Sequence, residues 1–404
     1  VPNPECFMVD VPLGQETIPI ELPSCEVTTA VPEGGDAVDI DGSAREAVAD
    51  PHGRPLSERV TPGDQVAIVV TDVTRATPDD VLLDALLGEL DRGGIEREHV
   101  TVVIGLGLHR PMTDEEIEAA LGEHADLAIN HDPDQTRTVG TVEDCPIEIH
   151  ELVADADVVC STGMVEPHQY AGFSGGAKTA VIGAGGESQI RYSHGPEMLA
   201  RDGVRLGRIE DNPFRAFVDD AGDALGVDFC LNVTHGPAGI TGVAAGQPRR
   251  VVESLAATAR EGLSVEISEE YDAVVAGVGA PKDANLYQAS RAATYVVLGA
   301  NNPLRDGGRV VLPARLPEGA GEGRGEQRFY DKLSTAESAT ALYDDLRSGY
   351  EPGTQRAFVL ARTLREHDVW VTNSDYPDLV EDCLMSASER VEEAIDRKST
   401  RLNS

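Results

Sequence analysis

The feature that most constrains this chain is the alternation of short apolar runs with segments of helical periodicity. Residues 66–71 (VAIVVT) form a β-branched run that ends in the polar loop DVTRATP. The next segment, residues 78–94, starts with proline and two acids, carries leucine at helical spacing and closes on two glycines, which predicts a helix. The scheme repeats at VTVVIGLGLHRP, and a third strand is predicted over residues 156–161. Apolar strands that alternate with helices predict a parallel sheet covered on both faces.

A second set of strands and helices begins near Tyr271 and runs to residue 395, where the last predicted helix (385–395) ends. We therefore predict an α/β protein with two α/β domains and largely parallel sheets. The N-terminal domain is placed at residues 1–264 and the C-terminal domain at 265–396. Residues 397–404 (RKSTRLNS) are basic and polar, unlike the rest, and are expected to be a disordered or non-native tail.

The composition excludes several classes of partner. The chain has 33 Lys and Arg against 71 Asp and Glu, a net charge of −38, so neither nucleic acid nor membrane is expected to bind it. Its basic residues include only four lysines, which with the charge favours a halophilic origin where salt screens repulsion. No apolar run approaches the roughly 18–20 residues that span a bilayer, and we expect a soluble cytoplasmic protein. The six cysteines lack zinc-site spacing and are expected to be reduced and mostly buried.

The most unusual stretch is residues 167–195, PHQYAGFSGGAKTAVIGAGGESQIRYSHG. Its glycines allow positive φ, and consecutive backbone N–H groups can cradle an anion. Lys178 lies between small residues, and its amine, unlike an arginine, can lose a proton and form a covalent bond. A surface lysine is the alternative. The segment GFSGGAKT also nearly matches a phosphate-binding P-loop, except that Ala177 replaces the second glycine and no convincing buried strand precedes it.

Three histidines have special settings. His109 follows a predicted strand, where open α/β sheets bind ligands, while His168 and His194 flank the glycine-rich stretch. Each alone is better explained by a structural role, but together they favour a shared site.

Two further loops carry candidate residues. Asp72 or Thr77 could cap the helix that follows, whereas the planar group of Arg75 suits a carboxylate or phosphate. Gln288 and Arg291 share one helical face near a helix N-terminus, which favours anions, although an ordinary exposed face remains open.

These motifs resemble the lactate racemase family, the nickel-pincer-dependent 2-hydroxyacid racemases and epimerases. The resemblance rests on DVTRATP, GLGLHRPMT, PHQYAGFSGGAK, SHG and DANLYQASR, and it extends from about residue 18 to 393. It implies two α/β domains with the active site in the cleft between them. It also implies an isomerase that interconverts the enantiomers of a small-molecule 2-hydroxy acid, lactate or a related acid, by transient hydride transfer.

The resemblance further implies a cofactor and roles for the candidate residues. The cofactor is a nickel-pincer nucleotide, a pyridinium-3,5-bisthiocarboxylic acid mononucleotide that holds nickel and is supplied by cofactor-biosynthesis enzymes. Lys178 would attach it covalently, and His194 would be a nickel ligand. The remaining roles are the acid/base pair His109 and His168, the substrate-binding residues Arg75, Tyr287, Gln288 and Arg291, and the cofactor-binding residues Asp72, Ser174, Gly175 and Gly176.

The implied chemistry suits these residue types. Transient oxidation avoids removing a proton from a carbon beside a carboxylate, and two imidazoles can serve hydroxyls that point to opposite sides. Arg291, Ile182 and Ser193 stand where the family often has Lys, Pro and Asn, which predicts a substrate larger or more polar than lactate. The alternatives are a P-loop-like nucleotide-binding protein and a non-catalytic cofactor-binding homologue.

Overall fold

The structure is a computed structural model, and it describes residues 8–22, 25–350 and 353–396. Its internal contacts divide the chain into two compact units. The large unit comprises residues 32–194 and 198–264, and the small unit comprises the described parts of 1–31 and 265–404 together with 195–197. The small unit thus includes residues 8–22 and 25–31, which the sequence-based division had assigned to the N-terminal domain. The predicted tail, 397–404, lies outside the described residues.

Both units contain strands and helices that alternate over most of their length. The strands are β1 Met8–Leu13, β2 Glu16–Glu21, β3 Val66–Val70, β4 Val100–Ile104, β5 Ala128–Asn130, β6 Thr136–Val142, β7 Cys145–His150, β8 Val158–Met164, β9 Pro167–His168, β10 Gly172–Phe173, β11 Val227–Gly236, β12 Gly239–Gly246, β13 Tyr271–Val275, β14 Leu304–Pro313, β15 Asp368–Thr372 and β16 Ser386–Ser388. The α-helices are α1 Ile40–Ala49, α2 Asp79–Arg92, α3 Asp114–Leu121, α4 Glu151–Ala154, α5 Glu187–Ser193, α6 Pro196–Leu199, α7 Pro213–Leu225, α8 Pro248–Leu263, α9 Leu286–Val297, α10 Arg324–Ser334, α11 Ala339–Ser348, α12 Gln355–Glu366, α13 Pro377–Asp382 and α14 Val391–Asp396. None of the described helices combines the length and apolar character needed to cross a bilayer.

A six-stranded sheet forms the centre of the large unit. Its order is β12-β11-β8-β3-β4-β5, and every neighbouring pair is parallel except β11 with β12. All five residues of β3 are buried because the strand lies inside the sheet, and this explains its unbroken β-branched run. Helix α2 buries Leu82, Leu83, Leu86 and Leu90 in the same core, at the spacing of one helical face.

The small unit has a parallel four-stranded sheet of order β13-β14-β15-β16 and an antiparallel pair of β1 with β2. The predicted α/β architecture with largely parallel sheets is confirmed. The predicted helix over residues 385–395 is wrong, because Ser386–Ser388 forms an edge strand beside β15 and only Val391–Asp396 is helical. The small side chains of the Ser-Ala-Ser segment carry no helical pattern, and the pairing of Trp370 with Ser386 determines the local structure.

The described cysteines are all free thiols. Cys145, Cys160, Cys230 and Cys383 are buried, and burial raises the pKa of each thiol. Cys25 is half-buried, and Cys6 lies outside the described residues. The expectation of reduced and mostly buried cysteines agrees with this arrangement.

A buried carboxyl group links two central strands of the large unit. Asp79, the first residue of α2, is 3% exposed and accepts hydrogen bonds from the hydroxyls of Thr71, 2.7 Å away, and Thr162. Thr71 follows β3, and Thr162 lies in β8. Burial raises the pKa of Asp79 to about 7, against the lowering effect of the hydrogen bonds from Thr162 and Thr71. The folded protein therefore holds a proton at Asp79 that the unfolded chain releases at much lower pH.

We predict that Asp79→Asn stabilises the protein increasingly, relative to the unmodified chain, as the pH rises from 4 to 7, and that the difference is level at higher pH. Because its pKa is raised, protonated Asp79 contributes stability at low pH, and this contribution is lost as the pH rises through about 7. The amide of an asparagine does not ionise, so it loses no stability over this range. The difference in the free energy of unfolding should grow by on the order of 1 kcal/mol per pH unit over this range. Urea unfolding at several pH values measures it. Asp80→Asn, at the exposed neighbouring position, is the matched control; an equal pH trend in both variants would contradict the prediction.

Candidate active site

The parallel order β8-β3-β4 brings three distant segments to one edge of the sheet. Asp72 follows β3, His109 lies in the loop after β4, and His168 lies shortly after β8. The carboxyl ends of neighbouring parallel strands share an edge, and ligands bind there in open α/β sheets. The fold thus gathers these predicted residues without any of them being close in sequence.

Asp72 and His109 form a hydrogen-bonded pair, with 2.6 Å between Oδ2 of Asp72 and Nδ1 of His109. Burial alone would raise the pKa of Asp72, but hydrogen bonds from His109 and Thr74 lower it to about 2. Because an ionised carboxylate only accepts hydrogen bonds, Nδ1 of His109 carries the proton and Nε2 keeps its lone pair. The His109 side chain is 58% exposed, so this lone pair is available to a ligand. The pair has the bonding of an oriented general base.

Arg75 lies beside this pair and contacts a residue that the sequence analysis did not select. Its Nη1 is 3.6 Å from Oε1 of Glu166, and both side chains are partly exposed. Glu166 directly precedes the Pro167-His168 dipeptide, and this position next to a candidate histidine was the signal that could have identified it. The ion pair connects the loop after β3 to the loop after β8.

The glycine loop, residues 172–178, is held by backbone contacts that depend on glycine. Gly175 and Gly176 have φ of +82° and +63°, and the N–H of Gly176 donates to Oδ1 of Asn232 at 2.7 Å. Nη1 of the buried Arg215 donates to the carbonyl of Gly175 at 3.3 Å. The Ser174 hydroxyl donates to the carbonyl of Met164 at 2.6 Å. The loop is thereby fixed to the end of β8 and to β11.

Lys178 ends the glycine loop and precedes a π-helical turn, Thr179–Gly183. Burial, followed by the positive charges of Arg75 and Arg215, lowers the pKa of the Lys178 amine to about 7. A substantial fraction of this amine is therefore uncharged and nucleophilic near neutral pH. The end of the turn touches the His109 loop, because the N–H of Gly107 donates to the carbonyl of Gly183 at 2.7 Å.

Two aromatic rings bring His168 and His194 into one cluster. The ring centroid of Phe214 lies 6.0 Å from that of His168 and 5.2 Å from that of His194. The Tyr170 ring lies 5.7 Å from His168 and 5.8 Å from His194. The charge of Lys178 lowers the pKa of both imidazoles, so the amine lies within electrostatic range of both. The structure thus groups Lys178 with two of the three predicted histidines.

His194 is held in one tautomer. Its Nδ1 lies 3.2 Å from the carbonyl oxygen of Ile190 and 3.0 Å from the hydroxyl of Ser193. Because a carbonyl only accepts, Nδ1 carries the proton and Nε2 retains its lone pair. Burial, then the charge of Lys178, lowers the pKa of His194 to about 4, so the ring is neutral at pH 7. A neutral, backbone-oriented imidazole is the form that ligates a metal.

His168 is held by its backbone neighbours. Its Nδ1 accepts hydrogen bonds from the N–H groups of Tyr170 and Ala171, at 3.2 and 3.1 Å. The neutral ring therefore carries its proton on Nε2, the opposite nitrogen from His109. Burial, followed by the charge of Lys178, places the pKa of His168 well below its ordinary value.

The other predicted substrate-binding residues lie in the small unit, on helix α9. The Arg291 guanidinium carbon is 5.4 Å from the centre of the Tyr287 ring, and Asn285 caps the helix through the N–H of Gln288. Nε of Arg291 is buried and has no hydrogen-bond partner among the described residues. A buried donor without a partner is costly, and a ligand oxygen would satisfy it.

Sequence reasoning missed residues that contact the candidate histidines or the glycine loop and hold them in place, namely Tyr170, Phe214, Arg215 and Asn232. Their roles come from packing across elements that are distant in sequence. One local signal existed at Asn212-Pro213, which is typical of a helix start. Asn212 caps α7 through the N–H of Phe214 and also donates to the carbonyl of Tyr170 at 2.8 Å. That residue places Phe214 against Tyr170.

Two family profiles match this chain. The profile of the lactate racemase N-terminal domain matches residues 13–207, and the profile of the lactate racemase C-terminal domain matches residues 267–404. Together they span most of the sequence.

Individual relatives match over most of their length. A lactate racemase of Thermoanaerobacterium thermosaccharolyticum is 25% identical, covering 96% of this chain and 93% of the relative. A lactate racemase of Lactiplantibacillus plantarum is 26% identical, covering 83% of this chain and 80% of the relative.

Solved structures share the fold. The lactate racemase apoprotein from Thermoanaerobacterium thermosaccharolyticum matches with a TM-score of 0.81 at 24% identity, covering 96% of this chain and 94% of the other. A protein from Thermotoga maritima matches with a TM-score of 0.60 at 19% identity, covering 89% of this chain and 94% of the other.

We predict that Gly176→Ala destabilises the large unit more than Gly207→Ala does. Both glycines have positive φ, but a Cβ at Gly176 would lie 2.7 Å from Cγ2 of Val252, whereas nothing lies within 4 Å of a Cβ at Gly207. The backbone cost of about 1–2 kcal/mol is common to both, and overpacking at Gly176 adds roughly 1–3 kcal/mol. Urea unfolding of the two variants checks this, and equal losses would mean that the glycine loop is not tightly packed.

Proposed function

Because the chain belongs to the lactate racemase family, we propose that it is a racemase that interconverts the enantiomers of lactate or a related 2-hydroxy acid. The observation that carries the proposal is the grouping of the Lys178 amine with the imidazoles of His168 and His194 around one glycine loop. His109, which pairs with Asp72, lies in the loop that touches the turn after Lys178. This set supplies an attachment point, a metal ligand and a base.

We propose that the cofactor is a nickel-pincer nucleotide, and the residues present fit it. The amine of Lys178, with its pKa near 7, is suited to covalent attachment. His194 offers the lone pair of Nε2 to nickel, because its Nδ1–H is directed to the backbone. Ser174, Gly175 and Gly176 would surround the nucleotide part, and Asp72 would support the site. When bound, the cofactor supplies a hydride acceptor for the carbon that bears the hydroxyl.

The chain's own residues would then bind the substrate and move its proton. Arg75 is proposed to bind the carboxylate, and Tyr287, Gln288 and Arg291 are proposed as further substrate-binding residues. Nε2 of His109 would take the hydroxyl proton, and the ionised Asp72 stabilises the imidazolium that forms. His109 and His168 would act as the acid/base pair for the substrate hydroxyl. The cofactor would supply the hydride chemistry, and a planar keto acid formed from the substrate would have two faces, which would allow both enantiomers to form.

Arg291 bears on which acid the protein prefers. A guanidinium binds a carboxylate through two parallel hydrogen bonds, whereas the lysine often found here in the family is a point charge. Arg291 also has the buried Nε without a partner among the described residues. We therefore propose a substrate with one more hydrogen-bond acceptor than lactate.

The racemase proposal is stronger than the two alternatives. A P-loop follows a buried strand directly and enters an α-helix, whereas the glycine loop here begins with the two-residue strand β10 and enters a π-helical turn. A carrier that only held the cofactor would have no use for a carboxylate that orients an exposed histidine.

The partners of the protein and its cellular location are also proposals. The partners would be a small-molecule 2-hydroxy acid and the enzymes that make the cofactor. With a net charge of −38, the chain suits a halophilic cytoplasm, because salt screens the repulsion among its acidic groups.

Co-expression with enzymes that make the cofactor should give a covalent adduct on Lys178 and about one nickel per chain, as a 1:1 site requires. Intact-protein mass, peptide mapping and metal analysis measure both. Lys178→Arg keeps the charge but should lose the adduct, whereas His194→Ala should keep the adduct and bind less nickel. Nickel and activity without a change in mass would rule out attachment at Lys178.

Asp72→Asn should lower kcat on the order of 10²–10⁴-fold, the range for loss of a positioned general base. The amide no longer demands a donor at Nδ1 of His109, so the proton can move to Nε2. Steady-state kinetics on the nickel-loaded enzyme measures the effect. Asp80→Asn is the control at an exposed position of the neighbouring helix, and an Asp72→Asn variant with unchanged kcat would contradict the proposed role of His109.

A further inference from the structure

Two segments of the proposed site touch each other through glycine. We call residues 105–113, the loop between β4 and α3 that carries one proposed base, the base loop, and residues 178–194 the cofactor segment. The N–H of Gly107 donates to the carbonyl of Gly183 at 2.7 Å. A Cβ on Gly183 would lie only 2.8 Å from Cα of Gly105, so the two backbones are in direct contact. A shift of one segment therefore has to be accommodated by the other.

Asn130 and His131 each hold one of these segments. Asn130 is the last residue of β5, and its amide accepts from the N–H of Met112 and donates to the carbonyl of Met112, both at 2.9 Å. These two bonds fix the end of the base loop. Nε2 of His131 lies 3.1 Å from the carbonyl oxygen of Gly185, in the cofactor segment. Because a carbonyl only accepts, His131 donates through its Nε2–H. Two adjacent residues at an edge of the central sheet thus hold both segments.

The environment of His131 is not one that stability alone would favour. The residue is 3% exposed, and its Nδ1 is buried with no hydrogen-bond partner among the described residues. A buried acceptor without a partner costs free energy, and an apolar side chain would not carry this cost. Burial, followed by repulsion from His150, lowers the pKa of His131 to about 4, so the ring is neutral at pH 7 and has a single N–H. The bond from that N–H to Gly185 is the contact that distinguishes histidine from an apolar residue here.

We propose that Asn130 and His131 are positioning residues, which hold the base loop against the cofactor segment and so fix the distance between the proposed base and the proposed cofactor. This inference rests on the proposed function. Neither side chain binds the substrate or exchanges a proton with it. A displacement of about 1 Å between reacting groups can lower a rate 10²-fold, so loss of either contact acts on kcat. Arg75, which is proposed to bind the carboxylate, is held instead by the loop after β3 and by Glu166, so KM changes little.

The first test follows backbone hydrogen exchange in the full chain without cofactor. Mass spectrometry of peptides that cover the base loop and residues 181–187 measures the protection of N–H groups such as those of Gly107 and Met112. His131→Leu removes the donor to Gly185, whereas His131→Gln keeps an N–H near the position of Nε2. We expect exchange in both peptides to be faster by on the order of 10-fold in His131→Leu, the value of one hydrogen bond, and protection to return in His131→Gln.

Two results would overturn the positioning role. The first is unchanged exchange of the base loop in His131→Leu, because the contact with Gly185 would then not reach that loop. The second is equally fast exchange in His131→Leu and His131→Gln, because the Nε2–H would then not be the cause.

His367→Leu is the matched control. His367 is 4% exposed, and its Nδ1 lies 3.0 Å from the carbonyl oxygen of Gly308, in the small unit. The variant therefore removes a comparable contact between a buried histidine and a glycine carbonyl, and it should leave exchange of the base loop unchanged. Thermal unfolding checks folding. The Tm of His131→Leu should change by only a few degrees, because the variant removes one buried acceptor without a partner, Nδ1, and leaves the Gly185 carbonyl without its His131 donor.

The second test compares kcat and KM of the nickel-loaded enzyme. His131→Leu and Asn130→Ala should each lower kcat by roughly 10- to 100-fold and change KM by less than about threefold, and His131→Gln should recover most of the loss. A loss confined to KM, or full kcat in both variants, would overturn the proposal. If the loaded enzyme racemises no 2-hydroxy acid, the proposed function fails, while the exchange result still decides whether His131 holds the base loop against the cofactor segment.

Discussion

The parallel pairing of β3 between β8 and β4 is the constraint on which the site depends. Each of these strands ends at the same edge of the sheet, so the loops that follow carry Asp72, His109 and His168 into one region. The strands are buried on both faces and have little freedom to slip, because a shift by one residue would move every side chain to the opposite face. Asp79 adds a polar link between β3 and β8 at this edge. The loops can therefore be irregular while their starting points stay fixed.

The electrostatics of the site oppose those of the whole chain. The sequence carries a net charge of −38, yet Arg75, Lys178 and Arg215 all act on the same small region. Burial, followed by repulsion from Arg75 and Arg215, lowers the pKa of the Lys178 amine to about 7, and burial, followed by the charge of Lys178, lowers the pKa of His168. A small carboxylate is attracted to such a region. The positive charges near the glycine loop are thus locally concentrated in a chain that is acidic as a whole.

Sequence patterns predicted the elements whose signals are local. Helix α2 lies within the predicted helical segment 78–94, and β3 was predicted because five consecutive buried residues leave an unbroken apolar run. The hairpin of β6 and β7 and the antiparallel strand β12 were missed, since partly exposed strands rich in Gly and Thr carry weak patterns. The candidate site residues were found where an unusual residue stood in an unusual neighbourhood, such as Lys178 among glycines. The roles of Phe214 and Arg215 could not be predicted, because the sequence of an amphipathic helix does not indicate which side chains its buried face will contact.

The π-helical turn Thr179–Gly183 has a consequence for how this protein could change over time. A π-turn holds one residue more than an α-turn, and each residue in a helix advances the chain by about 100°. Loss of a single residue from this turn would leave the remaining side chains unchanged. It would still rotate Lys178 by about 100° relative to the segment that ends in His194. The relative orientation of these two residues therefore depends on the number of residues in the turn, so an insertion or deletion here would disturb it more than a substitution would.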